Sequence, residues 1–151
     1  MAVILFVLSF LVLTLEVLET KIFAYSLANH LIFLVVGVVL LGFGAGGTAL
    51  SLKRKLEAPR PLVRRNLFLT AILLVVAHVW FAIMSHRLDF AGDLTSIAVT
   101  VSILVLLAAP YFTAGMAISA MLADSEANVH ARYAINLIGS ALGCVSIFFI
   151  L

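Results

Sequence analysis

The chain has 151 residues, of which 65% are apolar and only 11% charged, with a formal net charge of +2. Soluble domains are about 45–50% apolar and about 25% charged, so this chain has too little polar surface to face water and is expected to lie in lipid. The length supports one domain, residues 1–151, with no separate soluble catalytic unit in it.

A helix crosses about 30 Å of hydrocarbon with about 20 residues rising 1.5 Å each. Five apolar runs meet that requirement, so the predicted fold is all-α, a polytopic membrane bundle of about five transmembrane helices. The first helix covers residues 2–27, apolar or hydroxylic to Leu15 and then interrupted by Glu16, Glu19 and Lys21. The second covers 29–52 and ends in the stretch Gly42-Phe43-Gly44-Ala45-Gly46-Gly47. A basic loop over 53–66 follows, where Pro59 and Pro61 are expected to break any helix. The third helix covers 67–84, the fourth 96–123 with a kink expected at Pro110, and the fifth 133–151. Strands of a β-barrel would alternate over about ten residues, whereas these runs are continuously apolar.

Charge distribution suggests an orientation. Lys53, Arg54, Lys55, Arg60, Arg64 and Arg65 stand against the single acid Glu57, the pattern of a cytoplasmic connection. The amino terminus is then also cytoplasmic, and a bacterial-type inner membrane is the expected location. The connector 85–95, with His86, Arg87, Asp89 and Asp93, faces outward. The connector 124–132 falls inside although acids outnumber its one arginine, which weighs only slightly because the rule counts Lys and Arg. A nucleic-acid partner would require a basic folded face with stacking aromatics, and neither is evident. No basic region precedes the first run and no small-residue cleavage site follows it, so a removable signal peptide is not expected. Leu151 closes an apolar stretch without a polar flank, as expected of a chain that continues or is covered by a partner. The lone Cys144 supports neither a disulfide framework nor a cysteine metal site.

The glycine stretch satisfies G-x-G-x-x-G, but that fingerprint binds phosphate only between a strand and a helix. Within an apolar helix, Gly42 and Gly46 instead form a small-x-x-x-small face for close helix approach, as do Gly139 and Gly143. Glu16, Glu19, Thr20 and Lys21 form a polar cluster in the first helix. Glu16 lies about 21 Å from Ala2 and should turn inward, since lipid exposure of a carboxylate is costly. Glu19 and Lys21, at about 26 and 28 Å, could reach the interface by snorkelling. His78, about 16–17 Å along a helix counted from Leu67, is the expected partner of Glu16. Trp80, Phe81 and Tyr25 read as interfacial belt aromatics. The histidines His30, His78, His86 and His130 lack metal-ligand spacing, so no metal, cofactor or catalytic group is assigned.

Three segments together resemble the membrane region of spermidine synthase-like membrane proteins, in which helices precede a soluble aminopropyltransferase-like domain. Glu16-Val17-Leu18-Glu19-Thr20-Lys21-Ile22-Phe23 is similar to that family's E-L-L-x-T-R-I-F, with Lys21 for arginine. Leu40 to Gly47 matches its glycine-rich second helix. Tyr133 to Cys144 is similar to its Y-A-x-D-L-x-G-A-x-L-G, with Asn136 for the usual aspartate. The resemblance implies a membrane module without the catalytic domain, and the change at Asn136 removes a carboxylate.

The resulting expectation is a non-catalytic module, an accessory or scaffolding subunit of a larger membrane complex or a homo-oligomer. The alternative is a transporter-like module binding a cation or polyamine near Glu16.

Overall fold

A computed structural model describes residues 1–26, 31–52, 59–85, 94–123 and 128–150. They form five helices: α1 (Ala2–Ser26), α2 (Leu31–Ser51), α3 (Pro59–Met84), α4 (Leu94–Leu122) and α5 (Val129–Ile150). All five are long and apolar enough to cross a membrane, and no strand occurs among the described residues. The protein is a multi-pass helical membrane bundle.

Two helix starts differ from the sequence expectation by four residues or more. Helix α3 begins at Pro59, not Leu67, so Arg60, Arg64 and Arg65 ride on its first turns and leave the loop. Proline breaks a helix by lacking an N–H and clashing one turn back; in the first turn that N–H has no partner anyway, so Pro59 and Pro61 are compatible with a start there. Helix α5 begins at Val129, not Tyr133, because Asn128 caps it. The Asn128 Oδ1 accepts from the His130 and Ala131 amides at 3.1 and 3.3 Å. His130 and Arg132 therefore belong to a helix, and Arg132 donates to the Met121 carbonyl in the last turn of α4. Lys53, Arg54, Lys55, Glu57, His30, His86, Arg87, Asp89 and Asp93 lie outside the described residues. Helix α4 continues through Pro110.

Packing follows the small residues. Helices α2 and α4 run parallel, and a Cβ on Gly42 would sit 2.6 Å from the Ala108 carbonyl oxygen. Gly46 meets the Phe112 carbonyl, and Gly115 on α4 meets the Phe43 carbonyl in return. Helices α1 and α5 repeat the device: Gly139 faces the Phe6 carbonyl, 2.7 Å from where a Cβ would stand, and Gly143 faces that of Phe10. Lipid tails are as apolar as leucine, so close van der Waals approach rather than the hydrophobic effect holds such helices together. Gly44, by contrast, has nothing within 4 Å of its would-be Cβ.

Helix α4 is the centre of the bundle, packed along both α2 and α3, and residues from Pro110 to Met121 are nearly all buried. Helix α5 is held chiefly through α1. Helices α1 and α3 run in the same direction and scarcely touch. A cavity of about 230 Å³ separates them, lined from α1 by Leu8, Leu11, Val12 and Leu15 and from α3 by Leu67, Thr70, Ala71 and Leu74, over a floor of α4.

Candidate intramembrane cation site

Above that cavity α1 and α3 are bridged by polar groups. Helical residues advance by about 100°, so Glu19 stacks one turn above Leu15 and His78 one turn above Leu74. The ladder of cavity-lining side chains thus ends in a carboxylate facing an imidazole. Helix α4 supplies the third member: its side chains tilt toward its own amino terminus, which directs Tyr111 at Glu19.

The Tyr111 hydroxyl donates to Glu19 Oε2 at 2.7 Å. Glu19 is 2% exposed, and its other oxygen, Oε1, lies 3.5 Å from His78 Nε2. That oxygen is buried and accepts no hydrogen bond among the described residues. His78 Nδ1 lies 2.8 Å from the Leu74 carbonyl oxygen. A carbonyl can only accept, so Nδ1 carries a hydrogen and Nε2 is the atom offered to Glu19. At 3.5 Å these two atoms face one another with no hydrogen bond between them. One turn further, Phe23 and Phe81 pack with ring centroids 4.6 Å apart and planes at 48°.

The sequence-selected residues divide. Glu19 and His78 meet; Glu16, Thr20 and Lys21 do not join them. The expected Glu16–His78 pair is replaced by Glu19–His78, and the cause is the true start of α3. Counted from Pro59, His78 is about 28 Å along its helix, level with Glu19 at about 26 Å rather than Glu16 at about 21 Å. Glu16 also points about 90° away from the centre of the cavity-lining arc of α1. It is half-buried without a hydrogen bond or ion pair among the described residues. Thr20 donates back to the Glu16 carbonyl at 2.7 Å, and Lys21 is exposed. Glu19 is thus no snorkelling residue, and Phe81 packs inward on Phe23, unlike exposed Tyr25. Trp80 is partly exposed, its indole donating to Ser102 at 3.1 Å.

Sequence reasoning missed Tyr111. A signal existed, since a tyrosine in the middle of an apolar span must find a partner for its hydroxyl. It also missed a polar layer that begins at the cavity wall with Thr70. There the Thr70 and Thr113 hydroxyls lie 2.7 Å apart and the Nδ2 of buried Asn66 has no acceptor among the described residues. Asn136 sits against α1, with its Oδ1 2.6 Å from the Ser9 hydroxyl.

Among the described residues no group of three or more His, Cys, Asp and Glu could hold a metal ion. Compared with known protein families, curated proteins and solved structures, the chain matches none.

Proposed function

We propose that this protein is a non-catalytic, multi-pass module that binds a cation, a proton or a protonated amine, at Glu19 within the membrane. One observation carries the reading: a carboxylate oxygen buried inside the helix bundle, without a hydrogen bond among the described residues, facing an imidazole nitrogen at 3.5 Å. Ionisable side chains within membrane helices are rare, turn to the bundle interior and are typical of ion and proton pathways. Tyr111 anchors one oxygen, while the other is left to a proton shared with His78 or to an ammonium group taking its place. The resemblance to spermidine synthase-like membrane regions is compatible with an amine as the bound cation. With Arg60, Arg64 and Arg65 clustered at one end, the reading places the amino terminus on the cytoplasmic side of a bacterial-type inner membrane and Glu19 toward the outer leaflet.

The test uses an apolar carbodiimide, which activates protonated carboxyls in lipid. In proteoliposomes, Glu19 should be labelled, and spermidine or a simple alkylamine should protect it. Glu19→Gln should abolish the protectable label. Labelling that persists in Glu19→Gln, or that no cation slows, would refute the assignment.

A second reading, an accessory subunit of a larger complex, is favoured by α5. It is held chiefly through α1 and exposes Tyr133, Leu137, Phe148 and Phe149 on its outer side. Purification in mild detergent should then yield a particle larger than one chain, and a stable monomer would count against it.

A further inference from the structure

The space between α1 and α3 does not stop at the cavity below Tyr111. Toward the basic end it meets a second hollow, of about 460 Å³, lined by Met1, Ile4, Arg60, Val63, Arg64 and Leu67. Leu67 lines both spaces, so the two adjoin at that residue, and taken together they trace a furrow along the α1/α3 seam. Its chemistry changes along its length. The mouth carries the exposed side chains of Arg60 and Arg64, and the interior is walled almost wholly by aliphatic groups. The far end is stopped by Pro110 and Tyr111.

Water is a poor occupant of the interior, because a water molecule needs two to four polar partners and apolar cavities of this kind stay dry. Dimensions point elsewhere. From Ile4 to Leu15 the furrow runs about 16 Å at 1.5 Å per residue. One leaflet of a bilayer is about half of the 30 Å hydrocarbon core, or about 15 Å. The furrow is therefore as long as one acyl chain of the leaflet on which its basic mouth lies. It is reachable sideways from lipid, since Leu11 is 47% exposed and Ala71 on the facing helix is exposed too.

We infer that this furrow holds one anionic glycerophospholipid, its phosphate against Arg60 and Arg64 and one acyl chain between α1 and α3 with its end beneath Tyr111. Guanidinium groups match phosphate oxygens in charge and in donor geometry, which selects an anionic over a zwitterionic headgroup. The chain fills the gap that the helices themselves leave and completes the bundle on its weakest seam. Arg65, on the same turn, is exposed but does not line the furrow and takes no part.

The experiment is native mass spectrometry of the full chain released from nanodiscs containing equal phosphatidylglycerol and phosphatidylcholine. The wild type should retain one phosphatidylglycerol per chain. The double variant Arg60→Gln/Arg64→Gln should lose the anionic preference about 30-fold, equivalent to about 1 kcal/mol per arginine. Arg65→Gln should retain it. Ala71→Phe, which fills the passage from α3, should release the lipid with the arginines intact. Leu11→Phe narrows the same passage from α1 and serves if Ala71→Phe does not fold. Equal retention of the two lipids, equal loss in Arg65→Gln, or a lipid still bound when the passage is filled would each overturn the inference. None of these results bears on carbodiimide labelling of Glu19, so this site and the cation site stand or fall separately.

Discussion

The α2/α4 and α1/α3 seams are built in opposite ways within one bundle. Along α2/α4, glycines bring backbone against backbone. Along α1/α3, the helices stand apart over a cavity and are joined at one end by Glu19, His78, Phe23 and Phe81. In hydrocarbon the first arrangement maximises contact and leaves no room for a ligand. The second gives up contact and leaves both room and an unsatisfied acceptor. Stability is therefore concentrated in the glycine seams and chemistry in the open one, and substitutions should separate the two.

The largest effect is expected in the glycine seam. Gly46→Leu drives a side chain into the Phe112 carbonyl, where backbone rather than a flexible side chain must give way. Overpacking costs about 1–3 kcal/mol and occasionally more, and the upper end is expected here. Gly44→Leu, on the same helix with open space around it, should change stability by no more than about 0.5 kcal/mol. Thermal unfolding in detergent reads the difference; equal losses would mean that α2 and α4 do not meet along Gly42 and Gly46.

Next in size comes Tyr111→Phe. Removing the hydroxyl leaves both Glu19 oxygens without a hydrogen bond, and a buried group stripped of its partner costs about 1–3 kcal/mol. Hydrogen bonds between membrane helices average about 0.6 kcal/mol with a maximum near 1.7, so a loss of about 1–2 kcal/mol is expected. A double-mutant cycle with Glu19→Leu, which removes the acceptor altogether, isolates the pair. A coupling indistinguishable from zero would show that the two side chains do not bond.

A smaller effect sharpens the contrast. In the α1/α5 seam the Ser9 hydroxyl lies between the Leu5 carbonyl and the Asn136 amide oxygen, at 2.7 and 2.6 Å. If backbone approach at Gly139 and Gly143 holds these helices, Ser9→Ala should destabilise by only about 0.6 kcal/mol. Gly143→Leu should cost several times more in the same melt. A reversal of that ranking would make the seam polar in character.

The helix count and the two glycine faces were legible in the sequence, because length and apolarity define a span and four-residue spacing puts small residues on one face, whereas the helices those faces meet were not. The site was legible only in part. Glu19 and His78 could be selected as intramembrane polar groups, but their pairing depends on where α3 begins, and Pro59 and Pro61 read equally as breakers and as first-turn residues. Eight residues of misplaced start amount to about 12 Å of depth, enough to pair His78 with the wrong glutamate. Tyr111 and the α1/α3 furrow depend on three helices meeting at one level, which periodicity within a single helix does not encode.

The smallest effect is the most discriminating. Glu16 and Glu19 are one turn apart in a single helix, and a general negative potential would make them interchangeable. The packing does not: Glu19 is held by Tyr111 and faces His78, whereas Glu16 points away from the cavity without a partner among the described residues. Glu16→Gln should therefore leave amine protection of the carbodiimide label within about twofold of wild type, or about 0.4 kcal/mol, while Glu19→Gln removes it. A comparable loss in both variants would mean that the charge of the α1 segment, rather than the geometry around one oxygen, recruits the cation.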